Sequence, residues 1–110
     1  MKYYHNPRCS KSRQGLGFIP SGCQIILYLK EGISVDDYAS ILQRYDGTVL
    51  DLLRIQELPA KGLNLPSYSI DELAEFLAQN PIVLQRPIFD DGVSIIVGRP
   101  VENISTHLNN

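Results

Sequence analysis

One of the two cysteines in this chain and three of its arginines have the types and spacing for chemistry. Cys9 lies in Tyr4-His5-Asn6-Pro7-Arg8-Cys9-Ser10-Lys11-Ser12-Arg13. A short β-favouring run ends at His5, Asn6-Pro7 turns the chain, and small polar and basic residues then open a helix-like segment. A thiol there faces free backbone N–H groups, the positive end of a helix dipole, and the charges of Lys11 and Arg13. All of these favour thiolate over thiol, and a thiolate is a nucleophile. His5 either assists that thiolate through a hydrogen bond or its charge, or serves structure alone. Lys11 and Arg13 either add to the local field or line a solvated helix face. The amides from Ser10 to Arg13 are possible donors to an oxyanion.

Arg54, Arg86 and Arg99 each fall at the end of a predicted element, and Arg86 and Arg99 directly precede prolines. Taken singly, an arginine is a solvated surface charge. Together, if the elements assemble as described below, the three converge beside Cys9. Guanidinium groups bind tetrahedral oxyanions through planar, bidentate hydrogen bonds, and three would balance roughly three negative charges. Pro87 reads as a cis turn facing the cysteine, which keeps the backbone there open to substrate. Cys23, among apolar residues before the second strand, reads as a buried structural thiol. In a sheet of this order it lies at the end opposite Cys9, beyond disulfide reach. Asp36-Asp37 and Asp90-Asp91 have sufficient roles as helix caps and turns, and neither metal-ligand spacing nor a Gly-rich phosphate loop is present.

The elements that must position these residues follow from pattern. Lys2 to His5 is a strand. Ser10 to Ile19 is a helix that Gly15 and Gly17 weaken, so packing must hold it. Gln24 to Leu29, apolar on both faces, reads as a central buried strand. Ser34 opens a helix to about Tyr45, with Val35, Tyr38, Ile41 and Leu42 on one face. Thr48 caps a short helix that delivers Arg54, and Pro59 to Pro66 is loop. Ser69 and Glu72 form a capping box for a helix ending at Asn80-Pro81. Ile82 to Gln85 reads as a strand, and residues 88–97 as a hairpin turning at Asp-Gly. Gly98-Arg99-Pro100 starts a last helix, with proline in its first turn, ending near Leu108. The expected fold is α/β: a four-stranded mixed sheet flanked by helices, with a helical insertion over about residues 31–80.

Composition sets the bounds. A hydrophobic content of 44% supports a core, and 110 residues make one domain, 1–110. A net charge of −2 gives no pull toward nucleic acid or an anionic membrane, so any anion site must be a local basic cluster. No apolar run reaches the length of about 18 residues that a membrane span needs. Lys2 leads straight into a strand-like segment, so no signal peptide is expected, and two cysteines make no disulfide framework. The default compartment is the reducing cytoplasm. The expected state is a monomer, since no large apolar segment is left exposed.

A cysteine after the first strand and a proline after the third give the thioredoxin-like arrangement, and particular residues narrow it. His5-Asn6-Pro7-x-Cys9-x-x-Ser12-Arg13, Ile26-Leu27-Tyr28-Leu29, Leu52-Leu53-Arg54, Pro81-Ile82-x-x-x-Arg86-Pro87-Ile88 and Gly98-Arg99-Pro100 occur in this order. Together they resemble the glutaredoxin-coupled arsenate reductases, the ArsC family, over nearly the whole chain. The resemblance implies Cys9 as the nucleophile toward arsenate and Arg54, Arg86 and Arg99 as the oxyanion clamp. It implies His5 as the histidine near the thiol, Ser12 as a small hydroxyl residue at the oxyanion site, and a cis Arg86–Pro87 peptide. It also implies no bound cofactor, glutathione as co-substrate and glutaredoxin as partner. Two other readings fit similar residues. One is an Spx-like regulatory module binding RNA polymerase, although such modules typically carry Cys-x-x-Cys and Ser12 stands at the fourth position here. The other is a glutathione-dependent thiol reductase with a different substrate.

Overall fold

The computed structural model describes residues 1–109. Its first strand, β1 (Lys2–Tyr4), is buried on both faces by adjacent tyrosines that point opposite ways. Tyr3 joins Phe89, Val101 and Ile104 on one side, while Tyr4 joins Ile26, Tyr28, Tyr38, Leu53 and Ile88 on the other. β1 pairs in parallel with β2 (Gln24–Ile26) and antiparallel with β3 (Ile88–Asp90), which pairs antiparallel with β4 (Ile95–Val97). The resulting mixed sheet has the order β2-β1-β3-β4.

Helix α1 (Ser10–Gly15) crosses from β1 to β2 and is tied down where the Tyr3 hydroxyl donates to the Ser12 carbonyl oxygen at 2.6 Å. Gly15 is the last residue of α1, and only glycine fits there because the Tyr3 hydroxyl occupies the space where a Cβ would stand. The helix is thus shorter than the pattern over Ser10 to Ile19 predicts, and Gly17 lies outside it. Helix α5 (Glu102–Leu108) covers the same side of the sheet, with Ile104 in the Tyr3–Phe89 cluster.

The opposite side is covered by the helical region between β2 and β3: α2 (Tyr28–Glu31), α3 (Val35–Arg44), α4 (Ile70–Gln79) and four short 3-10 turns. Ser34 caps α3 through the Asp37 amide, and the Ser69–Glu72 capping box closes α4. A bidentate pair fastens this layer to the sheet: both terminal nitrogens of Arg44 on α3 donate to the Asp90 carboxylate on β3 at 2.7 Å.

Three sequence expectations are corrected. The run Gln24 to Leu29 is not a central strand. β2 is an edge strand of three residues with Ile25 half exposed, and the chain turns helical at Tyr28, where the Glu31 carboxylate accepts the Leu27 N–H. A short apolar run carries no periodicity that separates strand from buried helix. Residues 82–85 are not a strand either. Pro81–Val83 is a 3-10 turn, and only Leu84 makes a bridge, to Leu53. Pro100 precedes α5 rather than entering its first turn, and the Arg99–Pro100 peptide is cis, as is Arg86–Pro87. Among the described residues no helix is long and apolar enough to cross a membrane.

Candidate active site

Backbone turns build the cysteine loop. The Asn6 side chain accepts the Arg8 N–H, the Asn6 carbonyl accepts the Cys9 N–H, and the Arg13 guanidinium donates to the Pro7 carbonyl at 2.9 Å. Cys9 is the residue immediately before α1 and is largely buried. Burial pushes its thiol up, but the Ser12 amide, the Arg86 guanidinium and the Lys11 amide together outweigh burial and hold the thiol below its ordinary value.

Two backbone connections bring the arginines in. The Arg54 N–H donates to Val83 O at 2.7 Å and the Gln85 N–H to Leu52 O at 2.8 Å, which sets Arg54 beside the 85–86 segment despite their distance in sequence. The Gly98 N–H donates to Pro87 O at 2.9 Å, and Arg99 Nε donates to Arg86 O at 2.8 Å. Gly98 allows this approach, since a Cβ there would stand 2.6 Å from Pro87 Cγ. Arg99 Nη2 then reaches Cys9 Sγ at 3.5 Å.

Arg54 is placed differently. Its Nη1 stands 2.7 Å from Glu57 Oε1, although not aligned as a hydrogen bond, and it shares a cleft of about 560 Å³ with Glu57, Gln85 and Arg99. Arg86, by contrast, has buried Nε and Nη1 atoms without a hydrogen-bond partner. The site therefore pairs a lowered thiol with one guanidinium in contact, a second whose Nε and Nη1 are buried without a partner, and a third beside its own carboxylate. Such a set suits nucleophilic attack on a bound oxyanion.

The ArsC family model matches residues 4–107. The chain belongs to the ArsC family. It is 31% identical to an arsenate reductase of Neisseria meningitidis serogroup B, over 98% of this chain and 97% of that protein. It is 34% identical to an arsenate reductase of Haemophilus influenzae, over 92% of each. Among solved structures, an arsenate reductase from Vibrio cholerae superposes with a TM-score of 0.81 at 33% identity, covering 94% of this chain and 95% of that one.

Beside Cys9, His5 and Ser12 bond to each other. Ser12 is fully buried, and its Oγ accepts the Asn6 N–H at 3.0 Å and lies 2.7 Å from His5 Nδ1. The Ser12 hydroxyl is thus occupied within the loop, so what Ser12 offers the sulfur is its backbone amide. Burial, then the charge of Arg13, holds His5 below the ordinary histidine value, so the ring is neutral at neutral pH.

Cys23 stands where the Gln24 N–H donates to Met1 O, at the other end of β1. Four residue steps through β1, at about 3.3 Å each, separate Met1 at that end from His5, well beyond the disulfide Cα limit of about 7 Å. Burial raises the Cys23 thiol, against the Met1 ammonium, which lowers it. Among the described residues no group of three or more His, Cys, Asp and Glu side chains is placed to hold a metal ion. Sequence reasoning missed Glu57 as the partner of Arg54, although its i,i+3 spacing is visible in Arg54-Ile55-Gln56-Glu57. It also missed the Arg44–Asp90 pair, which no local signal announces.

Proposed function

We propose that this protein reduces arsenate through Cys9, with Arg86 and Arg99 holding the oxyanion and Arg54 closing on it from the adjoining cleft. The carrying observation is a nucleophile set among anion-binding side chains: Cys9 Sγ lies 3.5 Å from Arg99 Nη2, with its thiol lowered in part by Arg86. Arsenate as the substrate is supported by the arsenate reductases to which the chain is similar.

The Cys9 thiolate attacks the As(V) centre and displaces one oxygen, which leaves as water after protonation, forming a sulfur–arsenic bond. The guanidinium groups offset the charge of the anion and of its covalent adduct. Glutathione thiolate then attacks the Cys9 sulfur. The sulfur–arsenic bond breaks, its electron pair passes to arsenic, and arsenite, As(III), departs. The Cys9–glutathione disulfide left behind is resolved by glutaredoxin through thiol–disulfide exchange. The second electron equivalent comes from outside the chain because Cys23 is out of reach. The reaction belongs in a reducing, glutathione-containing cytoplasm.

The test is arsenate-dependent NADPH oxidation coupled through glutathione reductase, glutathione and glutaredoxin. Turnover by the wild type that requires arsenate, glutathione and Cys9 is the expected result. Equal rates with and without arsenate, while Cys9 remains readily alkylated, would turn the reading toward a thiol reductase with another substrate.

A further inference from the structure

Tyr28 belongs to the Ile26-Leu27-Tyr28-Leu29 segment and has no role in the chemistry above. It is fully buried, yet its hydroxyl has no hydrogen-bond partner. A buried hydroxyl left without an acceptor is costly, so such a group calls for a reason. Its position supplies one. β2 runs parallel to β1 with Ile26 opposite Tyr4, and the His5 N–H donates to Ile26 O. Tyr28, two residues further on, therefore emerges at the same end of the sheet as the Cys9 loop. Its ring belongs to the cluster of Leu53, Leu84 and Ile88, the residues that flank Arg54 and Arg86.

Two further unpaired buried polar atoms lie close by: Arg86 Nε and Nη1 have no hydrogen-bond partner. The Arg86 guanidinium approaches the phenol oxygen as a donor, Arg54 and Cys9 add their fields, and burial, the dominant influence, keeps the phenol protonated, so its proton is what lacks an acceptor. A neutral O–H donor without an acceptor thus stands beside a guanidinium without an acceptor. One tetrahedral oxyanion has oxygens enough to satisfy both.

We propose that Tyr28 is a further donor of the oxyanion site: its hydroxyl, buried and unpaired beside Arg86, hydrogen-bonds an oxygen of the bound anion. This rests on the reading of the site as an oxyanion site. Tyr38, the other buried tyrosine with an unpaired hydroxyl, lies on α3 and serves as the control.

The experiment measures how arsenate, and separately sulfate, slows iodoacetamide alkylation of Cys9 in the wild type, Tyr28→Phe and Tyr38→Phe. The half-protecting arsenate concentration is expected to rise about tenfold in Tyr28→Phe, as for loss of one hydrogen bond to a charged group. It should stay near the wild-type value in Tyr38→Phe. Urea midpoints should change little, because the hydroxyl proton has no acceptor to lose. Equal protection of the wild type and Tyr28→Phe would overturn the proposal, as would a lowered midpoint with protection unchanged, which marks a purely structural tyrosine. Failure of both anions to protect even the wild type would instead overturn the oxyanion reading, and this proposal with it.

Discussion

The two ends of β1 carry the same residue types in opposite settings. At the Lys2 end stand Cys23, whose thiol is raised, and Arg44, whose guanidinium is held by both oxygens of Asp90. At the Tyr4 end stand Cys9, whose thiol is lowered, and Arg86, whose buried nitrogens have no partner. One end is electrostatically closed and the other left open. A buried cation that already has its carboxylate serves the fold, whereas one without is poised for an anion that arrives from outside. The thiols follow the same logic, since burial raises both and only Cys9 has the amides and guanidinium that reverse it.

The largest contrast between the ends is expected for the thiols. Cys9→Ser should lower arsenate turnover by at least about a thousandfold, as loss of a nucleophile does, whereas Cys23→Ser should leave it within about twofold. The coupled NADPH assay reads both, and a comparable loss in the two variants would erase the distinction.

The arginines should separate activity from stability. Arg86→Ala is expected to reduce kcat/KM by about a hundredfold, the scale for removing one partner of a desolvated charge pair, with no loss in the urea midpoint. Arg44→Ala should do the reverse. It strands the buried Asp90 carboxylate and should cost about 3 kcal/mol of stability, with little change in kcat/KM. If Arg86→Ala proved the more destabilising of the two, the open end would have to be reread as structural.

The pH dependence of alkylation sharpens the thiol comparison. At neutral pH more of Cys9 than of Cys23 is thiolate, and mass spectrometry should find Cys9 labelled about tenfold faster by iodoacetamide. The gap should narrow as alkaline pH ionises both. Labelling of Cys23 ahead of Cys9 at neutral pH would reverse the assignment.

The smallest effect belongs to the closed end. Asp91 is held down to about 2, from the ordinary 3.8, by His107 and by the amides of Ser94 and Val93. A carboxylate lowered in the fold stabilises it above its unfolded value, and that contribution is lost as pH falls through the folded one. Asp91→Asn should thus cost no more than about 1 kcal/mol at pH 5, shrinking to nothing near pH 2, in urea melts across that range.

Much of this was legible from local sequence. The Ser69–Glu72 capping box, the Ser34 cap, the Asp-Gly hairpin and the turn before Cys9 involve residues within a few positions of one another, and each is present. The edge position of β2 was not legible, because the five apolar residues after Gln24 look alike whether the chain continues as a strand or coils at Tyr28. Arg54 illustrates the same limit within the site. The sequence marks it as a candidate, but the bridge from Leu53 to Leu84 places it, and Glu57 modifies what it can do.

By itself, the sequence determined the α/β order, the cysteine set before a helix, the candidate arginines and the family, because these depend on contiguous patterns and on motifs kept in order. Only the tertiary structure decided which arginines meet the thiol, that the Ser12 hydroxyl is spent on His5, and that Tyr28 leaves a donor unpaired beside Arg86. Partners, burial and satisfaction of hydrogen bonds are properties of neighbours in space. Chain segments some tens of residues apart become neighbours only when the sheet and its bridging turns close.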